Sequence, residues 1–286
     1  MSAYYNIAGI NIKIIGELLS VDDPAPFLPF VCDPVENPDC VITVGSEPAE
    51  IGIKPVYKYS RRQAHWAKLD DGRTFAGFFR HEDTVCANAL ISQDWKNIEI
   101  CVNLGNARSG YLWRPVLSAL FFHVCQFHKS MGLHAAAIEW NGGAIAVAAP
   151  SGTGKTTHCD LWVNNFGAEY INGDTPLLRF IDDKLYAFGV PWSGTAGIYK
   201  NIRVPLTALV FIERHPENII EKLDPVQALK KIMPLCLCPR YDRSMMELAF
   251  DNIEAVITRA DCYLLKCTPD LEAAELVRKC ITASKK

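Results

Sequence analysis

The stretch 144-AIAVAAPSGTGKTTHCDLW-162 decides how this chain reads. An apolar run leads into a glycine-rich turn, and a helix-forming segment follows. The general phosphate-loop pattern is G-x-x-x-x-G-K-[ST]. Here residues 149–156 read A-P-S-G-T-G-K-T, with Ala149 where the first glycine belongs. Gly152 and Gly154 let the backbone curl so that successive amide N–H groups face one anion. The positive end of the following helix adds to that attraction. Ser151, Gly152, Thr153, Gly154, Lys155, Thr156 and Thr157 are therefore the candidate nucleotide-binding residues, with Lys155 reaching the β- and γ-phosphates and Thr156 offering its hydroxyl to Mg²⁺. Alanine at 149 is tolerable if its φ is negative. A glycine-rich turn without a ligand would account for the glycines, but not for Lys-Thr-Thr at the helix start.

Nineteen residues after Lys155, the segment "AEYINGD" ends in Asp174. A strand–loop–helix–strand order predicts a right-handed βαβ unit with parallel strands. Ligands bind at the carboxyl ends of such strands. Asp174 is thus a candidate for holding Mg²⁺ or for activating an acceptor hydroxyl; the plainer reading is a turn aspartate before Thr175-Pro176. Gly167 is a plausible cap for the helix ending near Phe166.

Downstream, "PLLRFIDDKLYAFG" predicts two strands around a turn at Asp182-Asp183, an unusual sequel to the metal aspartate in common phosphate-loop proteins. Then comes "GVPWSGTAGIYKN". Ser193, Gly194, Thr195, Ala196 and Gly197 suggest a loop that approaches a ligand closely. Trp192 is either an aromatic wall of that site or a plug in the core. Lys200 or Arg203 could supply charge near a transferred phosphoryl group.

Together, "GLHAAAIEWNGGAIAVAAPSGTGKTTHCDLW" (132–162) and "YINGD" (170–174) resemble the catalytic domain of HPr kinase/phosphorylase and its relatives. That group shares its nucleotide-binding core with phosphoenolpyruvate carboxykinase, whose loop "SGTGKTT" is similar. The resemblance implies an α/β fold with some α+β character, built on a core of that type, and ATP and Mg²⁺ as cofactors. It also implies a role near the phosphates for His134, which matches a histidine on the strand before the loop strand. The group's aspartate pair follows the loop helix. Asp174 matches the second member, and Gly173 stands in place of the first. The loop by which true HPr kinases recognise their protein substrate is replaced by "PWSGTAGIYKN", so the expected acceptor is a hydroxyl of another small molecule or of a peptide or protein serine. Two alternatives remain open: a non-catalytic nucleotide sensor, favoured by Gly173, and a carboxykinase-like enzyme, for which no histidine and lysine metal cluster is evident. Lys155, His134 and Asp174 are the candidate catalytic residues, and Thr156 and Asp174 the candidate metal ligands. A core histidine is the alternative for His134.

The rest of the chain supplies context. Residues 1–110 read as a β-rich lobe, 111–130 as a buried connecting helix and 131–286 as the kinase-like domain. "INIKIIGE", "CVITVGS" and "NIEICVNL" are strand candidates, "HWAKLDDGRTFAGFF" a hairpin turning at Asp71-Gly72, and "DDPAPFLPFVCDPVENPDC" an irregular connection. "YLWRPVLSALFFHVCQFH" is apolar but short and interrupted by Arg114, His123, Gln126 and His128, which argues for a buried helix over a membrane span. A net charge of -3 gives no basic field for nucleic acid. Eleven scattered cysteines with no secretory signal at "MSAYYNIAGI" point to a reducing cytoplasm and buried thiols. The lone C-x-C at Cys236 and Cys238 is a weak metal signature. The other histidines have no ligand spacing, and oligomeric state is not legible.

Overall fold

A computed structural model describes residues 2–16, 25–45, 57–58, 64–79, 85–102 and 110–284. The fold is mixed α/β, with two large sheets. The chain divides into two compact units, Met1–Cys125 with Pro239–Met246, and Gln126–Cys238 with Glu247–Lys286.

The first unit holds β1 (Ser2–Ile7), β2 (Ile10–Ile15), β3 (Cys40–Gly45), β4 (Tyr57–Lys58), β5 (Ala64–Lys68), β6 (Thr74–Phe79), β7 (Val85–Ile91), β8 (Asn97–Val102) and helix α1 (Gly110–Val124). The sheet runs β1-β2-β3-β8-β7-β6-β5-β4. β1 is a strand that the sequence reading missed. Ala8 and Gly9 both sit at positive φ (56° and 78°), the turn that folds β1 back on β2. The anticipated hairpin is formed by β5 and β6, with Gly72 at φ 86° in the turn. Within the proline-rich connection, Ala25–Phe30 form a short 3-10 helix whose Phe27 and Phe30 are buried. The helix expected as a connector, α1, groups with this unit instead, and the chain comes back to it at 239–246. Aromatic packing accounts for both: Trp66 stacks on His123 at 4.6 Å and on Tyr241 at 4.7 Å.

The second unit holds β9 (Ser130–Gly132), β10 (Ala135–Trp140), β11 (Gly143–Ala148), α2 (Lys155–Phe166), β12 (Glu169–Asn172), β13 (Leu177–Ile181), β14 (Lys184–Phe188), β15 (Arg203–Arg214), β16 (Ile219–Lys222), α3 (Pro225–Ile232), β17 (Asp261–Cys267) and α5 (Leu271–Ser284). Helix α4 (Arg243–Arg259) precedes β17 and begins in the part of the chain that belongs to the first unit. The sheet order is β12-β10-β11-β15-β14-β13-β9, with β17 also on β15 and β16 on β17. Residues Asp182 and Asp183, at φ 47° and 59°, turn the β13–β14 hairpin where the aspartate pair predicts it. Gly167 closes α2 at φ 69°. Asp224 and Gln227 form a capping box at α3, with Pro225 in the first turn.

One expectation needs correction. β11 and β12 are not neighbours. β10 lies between them, antiparallel to both. The neighbour of β11 on its other side is β15, which is parallel to it and in turn to β17. The reason is local: residues 141–142, at φ 50° and 74°, turn β10 directly into β11, so the hairpin occupies the position a crossover strand would take. The consequence is functional. The start of β10 and the ends of β11, β12, β15 and β17 all lie at one edge of the sheet.

Apolar side chains from one sheet face, including Ile145, Val147, Val210 and Leu265, pack with Trp162 of α2 and Ala274 and Val277 of α5. Trp162 is fully buried, and burying a tryptophan contributes strongly to anchoring α2 on the sheet. Among the described residues, no helix is long and apolar enough to cross a membrane.

Candidate functional site

Residues 149–154 leave the end of β11 and enter α2 at Lys155. Gly152 is at φ 78° and Gly154 at φ 125°, conformations that L side chains rarely adopt. A Cβ added at either glycine would meet nothing within 4 Å, so the space over the loop is open. Ala149 is not among the positive-φ residues, and it is buried in the cluster that holds Cys159 and Trp162. Its methyl is therefore a core group. Thr153 N–H donates to Pro150 O at 3.3 Å and closes the turn.

Lys155 points back under this loop. Its ammonium donates to Ala149 O at 3.0 Å and lies 3.1 Å from His134 Nε2. The side chain is largely buried, and that desolvation pulls its pKa below the usual lysine value, with the Asp174 carboxylate opposing the shift. His134 Nε2 is in turn 3.4 Å from Asp174 Oδ1. One imidazole nitrogen thus faces a cation and an anion. When it carries no proton it accepts from Lys155; when it carries one it donates to Asp174. The His134 contact, with help from the Thr175 hydroxyl that donates at 3.0 Å, holds the Asp174 carboxyl below the usual carboxylate range against its partial burial. Backbone bonds fix the cluster: His134 N–H donates to Leu235 O at 2.9 Å, and Ala135 N–H to Asp174 O at 3.0 Å.

Two further residues hold the site, and the sequence reading named neither. Asn172 is fully buried. Its Oδ1 accepts from the N–H groups of Asp174 (3.0 Å) and Thr175 (2.7 Å), and its Nδ2 donates to Val190 O (3.0 Å) and Trp192 O (3.1 Å). It ties the Asp174 turn to the loop at 190–197. The only local signal is an Asx turn two residues before the aspartate. Arg214, at the end of β15, donates from Nε to Thr153 O at 3.2 Å and from Nη2 to Gly152 O. It braces the outer limb of the glycine-rich loop from a strand sixty residues away, which no spacing announces.

The loop at 193–197 approaches Asp174 closely. A Cβ on Gly194, at φ 61°, would lie 2.7 Å from Asp174 Cγ. Ser193 is buried, Thr195 is exposed, and Trp192 is half-buried. Lys200 is ion-paired with Glu169, and the Arg203 guanidinium lies over the Tyr186 ring at 4.9 Å. Neither is brought to the His134–Asp174 cluster by these contacts. Gly173 N–H donates to Ile198 O at 2.8 Å, and a Cβ there would come within 3.2 Å of Ala196 Cβ. The neighbouring loop therefore crowds position 173.

Among the described residues, no group of three or more His, Cys, Asp and Glu side chains is arranged to hold a metal. Cys236 and Cys238 are buried thiols. A hard divalent cation needs oxygen donors and tolerates water in its remaining positions. The Thr156 hydroxyl, on an exposed residue of the first turn of α2, and the half-buried Asp174 carboxylate are oxygen donors of that kind.

His158, one turn into α2, is buried and accepts from Trp162 Nε1 at 3.3 Å. Burial lowers its pKa to about 4. The folded state therefore refuses a proton that the unfolded chain takes up near pH 6.5. Stability from this group is intact above pH 6.5 and falls as pH drops toward 4. Between pH 7 and pH 5 we expect a loss of about 2 kcal/mol from His158 alone. Urea unfolding at the two pH values, for the wild type and for His158→Gln, checks this; an equal loss in both would exclude His158 as its source.

No family model matches this sequence, and no curated protein matches it. Among solved structures, the chain is similar to the HPr(Ser) kinase/phosphatase from Coxiella burnetii, at 10% identity and a TM-score of 0.33, over 54% of this chain and 99% of that one.

Proposed function

We propose that this protein is a Mg²⁺-dependent kinase that transfers the γ-phosphoryl group of ATP to an alcohol, a hydroxyl of a small molecule or of a peptide or protein serine. The observation that carries this reading is the contact chain Lys155 Nζ–His134 Nε2–Asp174 Oδ1, at 3.1 and 3.4 Å, below an open glycine-rich loop at a helix N-terminus. In this reading the amides of residues 151–157 hold the α- and β-phosphates, and Lys155 reaches the β- and γ-phosphates. Thr156 and Asp174 would hold Mg²⁺, which supplies charge neutralisation between the phosphates. The acceptor oxygen bonds to the γ-phosphorus as the bond to the β–γ bridging oxygen breaks and ADP leaves. Asp174 takes the hydroxyl proton. A loose transition state needs little base strength, so a depressed carboxylate pKa is no obstacle. His134 positions its neighbours before the transfer: unprotonated at Nε2 it accepts from Lys155, and protonated there it donates to the still-charged Asp174.

The test is ADP release and phosphoryl transfer from Mg²⁺-ATP across a panel of alcohols, run beside Asp174→Asn. The expected result is a loss of about 100-fold or more in turnover, with nucleotide affinity within a few-fold of wild type. Turnover unchanged by Asp174→Asn would overturn the assigned role. A second reading, a nucleotide sensor, draws on the packing of Ala196 and Ile198 against Gly173, which leaves the site one carboxylate. It predicts tight nucleotide binding with no transfer to any alcohol.

A further inference from the structure

Two cavities flank the glycine-rich loop. One, of about 650 Å³, opens beside Gly154, Thr157 and His158 and extends to Pro216 and Pro269. A nucleotide lying along the loop passes its α-phosphate near the first turn of α2, so its nucleoside leaves toward this side. The other cavity, of about 660 Å³, lies against residues 148–153 on the side of Lys230, Lys231 and Leu235, and shares Thr153, Glu213 and Arg214 with the first. It is lined by Glu213, Arg214, Lys230 and Lys231, with Leu235 behind them.

The charge in this second cavity is unbalanced. It holds three cations and one carboxylate. Glu213 is paired with Lys231. Arg214 spends two of its N–H groups on neutral carbonyls, so its charge is not compensated by them. Lys230 is exposed and has no ion-pair or hydrogen-bond partner among the described residues. The cavity also touches the reactive end of the loop. Ala149, whose carbonyl holds Lys155, lines it, and Leu235, whose carbonyl holds the His134 N–H, lines it as well.

We propose that this cavity is the acceptor subsite and that it takes an alcohol carrying its own anionic group, a carboxylate or a phosphate, with Lys230 as the residue that recognises it. The proposal rests on the kinase reading above and deepens it. A neutral alcohol would leave the excess cations without a counter-charge. An anionic one places its charge on Lys230 and Arg214 and its hydroxyl toward His134 and Asp174.

The experiment uses the full chain loaded with Mg²⁺ and a non-hydrolysable ATP analogue, so that the γ-phosphate position is filled. Nucleotide binding is measured first, and its absence in the wild type would defeat the kinase reading itself. The loaded protein is then titrated with D-glycerate, glycerol phosphate and glycerol, followed by NMR shifts of the loop amides. We expect the two anions to bind and glycerol not to. The stronger of the two anions identifies the group as carboxylate or phosphate. Lys230→Ala should weaken that anion by about 10-fold, the scale of one charge-assisted contact, and leave nucleotide affinity within two-fold. Three results each overturn the proposal: no anion binding to the loaded wild type, equal anion binding by Lys230→Ala, or a loss confined to nucleotide affinity. The last would assign the cations to the nucleotide's own phosphates.

Discussion

Replacing Lys155 by methionine is expected to lower phosphoryl transfer from ATP by about 1,000-fold while leaving the folded state intact. The ammonium is the one cation that reaches beneath residues 149–154 from inside the loop helix, and its contacts are Ala149 O and His134 Nε2. In the proposed kinase reading, it would meet charge that grows on the β–γ bridging oxygen of a bound triphosphate. Methionine keeps the length of the side chain and removes that charge. Without nucleotide the balance differs. Burial lowers the pKa of Lys155, which says that the folded protein holds this charge at a cost. Removing it relieves that cost and gives up the hydrogen bond to Ala149 O, so the two changes offset to within about 1 kcal/mol. The discriminating measurement is therefore a pair: turnover, and denaturant stability of the nucleotide-free protein. Turnover within about three-fold of wild type would remove Lys155 from the chemistry. A collapse of stability would show that the residue is structural first.

The largest effect on folding is expected at a residue without a side chain. A Cβ on Gly189 would lie 1.9 Å from Lys200 O and 2.7 Å from Ile171 O. Both are backbone atoms, so no rotamer change can relieve the clash. Lys200 N–H donates to Ile171 O at 3.0 Å and Gly173 N–H to Ile198 O, so the 198–200 segment runs beside β12 and steadies the Asp174 turn. Gly189→Ala must push that segment away. We expect a destabilisation of at least about 3 kcal/mol, with loss of turnover as the turn loosens. Gly142→Ala is the control. Gly142 has φ 74° but open space around its Cβ position, so only the backbone strain of about 1 kcal/mol is expected. Equal urea midpoints for the two variants would refute the packing argument.

The contrast between these residues also shows what could be read early. Lys155, Gly152 and Gly154 were legible because their chemistry is local: a loop, a turn and a helix start lie within eight residues. The Asp182-Asp183 and Asp71-Gly72 turns were legible for the same reason. Asn172 and Arg214 were not. Asn172 acts through four hydrogen bonds that span 172 to 192, and Arg214 reaches the loop across 61 residues of chain. The insertion of β10 between β11 and β12 was equally hidden, because an apolar strand carries no label for its neighbour.

Sequence alone determined the glycine-rich turn and the lysine at the start of the helix that follows it, since backbone φ freedom and the order of residues at a helix start need no tertiary partner. It also put His134 and Asp174 under suspicion without saying that they meet. Only the tertiary structure decided that meeting. An antiparallel strand begins where its parallel neighbours end, and that polarity brings the front of β10 to the back of β11 and β12. Packing likewise decided how crowded position 173 is, because a Cβ there would come within 3.2 Å of Ala196 Cβ and require the neighbouring loop to shift.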